Sequence, residues 1–319
     1  MKKIVILNDT TPDCHYGCSR VISNLNALIE EFGGKVIHSL KIDKKIDNPL
    51  TKEYLLEADI VIINGEGTFH HGAKRAYEML QLVAKLPVKK YLVNATYDSN
   101  PNEFSLLLKN FDGVTVRETK SQQQLSQCGI HSIVLPDLSL YSNSLDLKQR
   151  RGYLYGDSVN FRLAWKIHQL FQNREGFSVN RICYTSNRWK QVNRYILKGI
   201  RKFDFTKYKT RNLFVASTQI TDEEYHMEVA RAEGIITGRY HAICYAINSY
   251  TPFLAIGSNS HKIEGLMEDI GLDDRSLQAE QLTSFTPIFS FSEIEIEKID
   301  KFLTQGRKGI RTYYQSILS

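Results

Sequence analysis

Gly234-Ile235-Ile236-Thr237-Gly238-Arg239-Tyr240-His241-Ala242 decides the reading of this chain. A β-branched run stops at a glycine, and a helix-compatible stretch begins at once. That is the carboxyl end of a buried strand passing into a helix start, the joint repeated throughout parallel α/β sheets. The first backbone N–H groups of such a helix have no partner within it, and together with the helix dipole they favour an anion. Arg239 adds a planar donor for carboxylate or phosphate, and His241 adds a ring that titrates near neutrality. An exposed arginine beside a capping histidine would read the same way, so the surroundings must decide.

Outward from this joint the same alternation recurs. The second half reads as strands over 152–155, 181–184, 234–237 and 253–256, with helices over 159–171, 189–200, 222–231, 239–250 and 261–270. A last helix over 292–318 is expected to pack back on the first half. The first half reads as strands over 4–7, 35–40, 59–63, 91–94, 114–116 and 132–135. Its helices run over 17–32 and 72–86, from Asn100-Pro101 (Asn as cap, Pro in the first turn), and through Leu125 to Gly129. Residues 142–152 are polar and carry Lys148-Gln149-Arg150-Arg151. These patterns imply an α/β chain of two doubly wound Rossmann-like domains facing a central cleft, residues 1–145 and 146–319. The length of 319 residues suits two cores of about 150.

Ligands of such sheets bind beyond the carboxyl ends of the strands, so the loops there hold the candidate residues. Gly65-Glu66-Gly67-Thr68 follows the third strand. Its glycines would let backbone approach a ligand, Glu66 is a candidate general base, and Thr68 would cap a helix or donate to phosphate. His70 and His71 are adjacent, and adjacent rings rarely face one ion. In the loop after the first strand Asp9, His15 and Arg20 are placed to meet a substrate, and Cys18 reads as a small buried residue. Arg117 ends the fifth strand with Ser121 one helical turn on. Asp137 ends the sixth, as a cleft carboxylate or a turn former.

Composition excludes several classes. A net charge of +6 suits an anionic substrate or membrane face without demanding nucleic acid, and no nucleic-acid module is visible. Five cysteines at irregular spacing make no disulfide framework, and Cys14 and Cys18 lack the second pair of a zinc site. The apolar run after Met1-Lys2-Lys3 is too short for a secretory signal, and no stretch approaches the roughly 20 residues of a membrane span. A cytoplasmic protein is expected. Residues 188–211 interleave lysine and arginine with aromatics. A solvated basic face explains them, as would peripheral contact with an anionic inner membrane face or a lipid-linked saccharide.

The motifs resemble the polysaccharide pyruvyltransferase family: Thr237-Gly238-Arg239-Tyr240-His241-Ala242, then Thr251-Pro252-Phe253, then His261-Lys262-Ile263. Arg117-Glu118 with Ser121 resembles the family's Arg-Asp/Glu-x-x-Ser helix, and Pro136-Asp137 its Pro-Asp strand end. Gly65-Glu66-Gly67 departs from its triple glycine, and the Cys14–Cys18 loop from its usual first loop. The resemblance implies a GT-B-like fold and transfer of a pyruvyl group from phosphoenolpyruvate to sugar hydroxyls as a ketal, with neither cofactor nor metal. Arg117 and Arg239 would divide the donor's phosphate and carboxylate, and Lys262 would add charge. His241 would protonate or balance the leaving phosphate, with Glu66 or Asp137 as base. Two rivals fit the same residues. One is a glycosyltransferase using a nucleotide sugar such as a CMP-linked ulosonic acid, and the other is a non-catalytic glycan-binding scaffold.

Overall fold

The computed structural model describes residues 1–185, 213–257, 259–278, 281–283 and 289–319. The helix expected over 189–200 and the basic segment 188–211 fall outside them.

The first sheet has six strands: β1 (Lys2–Asp9), β2 (Gly34–Lys41), β3 (Ile60–Glu66), β4 (Lys89–Ala95), β5 (Gly113–Val116) and β6 (Ile133–Val134). Their order is β2-β1-β3-β4-β5-β6, and every pairing is parallel. The connecting helices are α1 (Tyr16–Glu31), α2 (Pro49–Glu57), α3 (Lys74–Ala84), α4 (Asn102–Leu108) and α5 (Thr119–Gln127). All seven residues of β3 are buried, as expected for a parallel strand covered on both faces. Alternate residues serve opposite layers. Val5, Leu7, Val61 and Ile63 pack with α3 and α4, while Ile4, Ile6, Ile60 and Ile62 pack with α1.

The second sheet comprises β7 (Tyr153–Ser158), β8 (Phe177–Val179), β11 (Gly234–Gly238), β12 (Phe253–Ile256) and β13 (Ser276–Leu277). Their order is β13-β12-β11-β7-β8, again all parallel. Two short strands, β9 (Cys183–Tyr184) and β10 (Val215–Ala216), form a separate parallel pair. Helices α6 (Phe161–Phe171), α7 (Asp222–Ala230), α8 (Tyr240–Asn248) and α9 (Lys262–Ile270) complete the layers.

The terminal helix α10 (Glu293–Leu318) starts on a capping box built by Ser292 and Glu295. Its Ile299 and Leu303 enter the core of the second sheet, and its Ile310, Tyr314 and Leu318 enter that of the first. It does pack back across the junction. Among the described residues no helix is long and apolar enough to cross a membrane.

Two local expectations need correction, and two elements were not expected. Asn100 does not cap α4: its Oδ1 accepts from Gly72 N (3.1 Å) and its Nδ2 donates to Phe69 O (2.8 Å), so it braces the loop after β3. β3 runs on through Glu66, because Asn64 and Glu66 still pair with β4. The helix α2, capped by Asn48, and the short strand β8 carry too few periodic apolar residues to stand out in sequence.

Candidate active site

Each sheet changes winding direction once. In the first, β2 and β3 lie on opposite sides of β1. In the second, β8 and β11 lie on opposite sides of β7. Loops diverge at such points and leave a crevice at the strand ends. The chemistry-bearing residues gather at these two places.

At the first, three neighbouring strands end in left-handed residues that are not glycine: Asn8 (φ 67°) on β1, Glu66 (φ 40°) on β3 and Asn94 (φ 57°) on β4. Such backbone persists only where its surroundings enforce it, and it clusters at working sites. Glu66 is buried, and its Oε1 accepts from Thr10 Oγ1 (2.5 Å) and Asn64 Nδ2 (2.7 Å). Asn8 Nδ2 donates to Asn64 O (2.8 Å) and Thr68 Oγ1 (3.0 Å), which pins the turn.

At the second, Asp157 ends β7 and takes Arg239 in a two-pronged pair, Nε to Oδ1 at 2.7 Å and Nη2 to Oδ2. This aims the guanidinium and leaves Nη1 as the nitrogen Asp157 does not engage. Behind it lies a buried chain. Arg117 Nη1 donates to Asp137 Oδ2 (2.7 Å), its Nη2 to Thr96 Oγ1 (2.6 Å), and its plane covers the Tyr240 ring at 4.4 Å. Asp137 Oδ1 lies 3.7 Å from His241 Nε2. Burial alone would raise the Asp137 carboxyl, but His241 and Arg117 hold it far below the usual carboxylate range.

The two crevices meet where α1 begins. A Cβ on Gly17 would sit 2.2 Å from His241 Cγ, so only glycine admits the ring. The rings of His15 and His241 meet edge to face at 5.2 Å. The Cys18 thiol is pushed well up by burial and by Glu66. Lys262 approaches from the start of α9, with its Nζ 3.8 Å from where a Gly67 Cβ would stand. Burial, then Arg117 and Arg239, pushes the Lys262 amine down to about 8. Burial, followed by the charges of His241, Arg239 and Lys262, also lowers His15. The centre therefore gathers Glu66 beside Cys18, and His15 beside His241, Arg239 and Lys262.

Several residues expected to face the cleft do not. Arg117 and Asp137 are wholly buried and bound to each other. Asp137 also caps a short 3-10 turn through Ser139 N (2.8 Å), so it forms a turn as well as holding a charge. Asp9 is consumed by Lys41, Ser39 and Thr11. Arg20 pairs with Asp222. Thr68 closes the turn instead of capping α3, which starts at Lys74. Gly65 and Gly238 are glycines because strands press on them: a Cβ would meet Ala95 at 2.4 Å and Ser158 at 2.8 Å.

Ser121 belongs to a separate buried latch between the halves. Its Oγ donates to Glu118, accepts from Tyr97 N (2.7 Å), and lies 3.2 Å from His261 Nε2. His261 Nδ1 is 3.4 Å from Asp98 Oδ1. Burial opposes the charge of His261, yet Glu118 and Asp98 raise its pKa.

Sequence reading missed Asp157, Thr10 and Asn64 as partners, and Gly17 as the point of contact. The one available signal was Gly156-Asp157-Ser158 ending an apolar strand, the same strand-end logic that selected Asp137.

Solved structures share this architecture. One is a functionally uncharacterised protein of Klebsiella pneumoniae (10% identity, 87% of this chain and 92% of that one, TM-score 0.52). Another is the Methanocaldococcus jannaschii UDP-GlcNAc 2-epimerase in complex with UDP-GlcNAc and UDP (13% identity, 96% and 94%, TM-score 0.51). A third is the Neisseria meningitidis UDP-GlcNAc 2-epimerase bound to UDP-GlcNAc (10% identity, 99% and 98%, TM-score 0.51). At such identities the likeness establishes the GT-B-like fold alone. No curated protein matches the sequence. A family model described as polysaccharide pyruvyl transferase matches residues 19–260, from the first turn of α1 to the loop before α9. Most of the chain, including the strand-to-helix joint at Arg239, lies within that match: the chain belongs to the polysaccharide pyruvyl transferase family.

Proposed function

We propose that this transferase moves a pyruvyl group from phosphoenolpyruvate onto two hydroxyls of a saccharide, as a ketal, during synthesis of a cell-surface polysaccharide. The observation that carries this reading is the meeting of Glu66, Lys262, Arg239 and His241 where the two switch points face each other. Phosphoenolpyruvate packs a phosphate and a carboxylate into a small volume. Lys262 and the Nη1 side of Arg239 supply cations for them, and the open N-termini of α8 and α9 add backbone dipoles.

Glu66 takes the proton of the first acceptor hydroxyl as its oxygen bonds to C2 of the enol and passes it to C3, which becomes the methyl group. The second hydroxyl then displaces phosphate, and its proton passes through His241 to the leaving group. The two hydroxyl protons thus end on the methyl group and on phosphate. Asp137 is recast from candidate base to positioning residue: locked to Arg117, it holds His241 from behind.

Thermal stabilisation separates the donors. Phosphoenolpyruvate should raise the midpoint, and the rise should vanish in Lys262→Ala. A shift with CMP or UDP and none with phosphoenolpyruvate would transfer the site to a nucleotide-sugar donor. Peripheral contact of residues 188–211 with the inner membrane face is part of the same proposal, tested by pelleting with anionic liposomes.

A further inference from the structure

Where the two crevices meet, His241 has two neighbours that pyruvyl transfer does not use, His15 and Cys18. His15, Cys18 and His241 each bring a ligand atom within 4.8 Å of the other two. His15 precedes α1 and Cys18 lies three residues on, so both occupy one side of its first turn. His241 comes from the first turn of α8, on the other half of the molecule. Nδ1 of His15 is buried without a hydrogen-bond partner. Buried polar atoms are nearly always satisfied, and one that is not asks for a ligand.

The surroundings complete the pattern. His241 Nε2 faces Asp137 Oδ1 at 3.7 Å, while its Nδ1 turns toward the first turn of α1, 2.7 Å from where a Gly17 Cβ would stand. At 3.7 Å Nε2 makes no hydrogen bond, so His241 too carries a buried ring nitrogen without a partner, with a carboxylate near enough to orient the ring once it is bound. The neighbouring cations do not forbid a metal. Arg117 is matched by Asp137 and Arg239 by Asp157.

We propose that His15, Cys18 and His241 bind a divalent metal of the zinc type, with the fourth position left to water or to an anionic group of the substrate. Two imidazoles and a thiolate are the donors that borderline-soft ions prefer, and three protein ligands with one open position is the pattern of reactive zinc sites. On binding, the Cys18 S–H bond breaks, its electron pair forms the bond to the metal, and one proton leaves through Glu66, the carboxylate beside the thiol. This departs from the metal-free chemistry expected from the sequence and gives His241 another part than the proton donor above: a ring held by the ion steadies the donor's anion through the open position instead of protonating it.

The test uses tag-free full-length protein stripped by chelator and titrated with Co2+. A second preparation carries His70→Ala and His71→Ala, because those exposed rings, with their Nδ1 atoms 2.8 Å apart, are the alternative place for the ion. Both preparations should take up one equivalent with a near-ultraviolet thiolate-to-cobalt band and release one proton. Cys18→Ser should abolish the band and Cys14→Ser should keep it. His15→Gln should weaken binding at least about tenfold, with circular dichroism confirming the fold of each variant. Folded wild-type protein that shows no such band at stoichiometric Co2+ overturns the proposal. So does a band that survives Cys18→Ser or disappears with His70 and His71.

Discussion

Replacing Gly17 with alanine tests whether the two halves share one site. A Cβ there would lie 2.2 Å from Cγ and 2.3 Å from Cβ of His241. Non-bonded carbons settle at about 3.5–4.0 Å, so the overlap exceeds one ångström and cannot be absorbed by small adjustments. Either α1 shifts, carrying His15 and Cys18, or the imidazole leaves Asp137. Overpacking of this kind costs about 1–3 kcal/mol, and the reaction should suffer more than stability because His241 is displaced. The assay is urea denaturation followed by circular dichroism, alongside turnover, in a double-mutant cycle. The second change must be His241→Gly, since the histidine's own Cβ is part of the clash. Gly17→Ala should cost about 1–3 kcal/mol alone and nearly nothing in the His241→Gly background. If the two changes add within about 0.5 kcal/mol, or if Gly17→Ala is neutral, α1 and α8 do not meet as described.

Other outcomes follow from the same contacts. Asp137→Asn leaves the buried Arg117 charge without its partner and should destabilise by about 3–5 kcal/mol, read by denaturation. Lys262 sits at about 8 when folded, against an ordinary 10.5. Without ligand, stability attributable to it should rise with pH between those values, because the unfolded chain binds the extra proton there. Its hold on phosphoenolpyruvate should weaken as pH climbs past about 8, at up to tenfold per pH unit, and Lys262→Arg should flatten that slope in calorimetric titrations. His261 is raised when folded, so its latch should contribute fully below about 6.5 and fade as pH rises through its folded value. His261→Gln should remove that part of the stability profile.

The strands were legible because parallel strands buried on both faces are written as unbroken β-branched runs, as in Ile60-Val61-Ile62-Ile63 and Gly234-Ile235-Ile236. Strand ends followed from the runs, and they located Glu66, Asp137 and Arg239. Partnership was not legible. Arg239 looked like a free clamp because Asp157, which aims it, lies in a different strand. Arg117 and Asp137 both looked like cleft residues, whereas each buries the other's charge. Gly65 looked like room for a ligand, yet it is room for Ala95. A one-dimensional pattern reports where a strand stops and says little about which side chain across the sheet claims the space.

The most direct measurement is the product balance of the transfer itself. The protein would be incubated with phosphoenolpyruvate and a saccharide offering paired hydroxyls. Inorganic phosphate and the mass of the saccharide would be followed together. One phosphate should be released for each pyruvyl ketal formed, with both lost in Glu66→Gln and Lys262→Ala. Sugar transfer from a nucleotide donor, with phosphoenolpyruvate left intact across a range of acceptors, would contradict it.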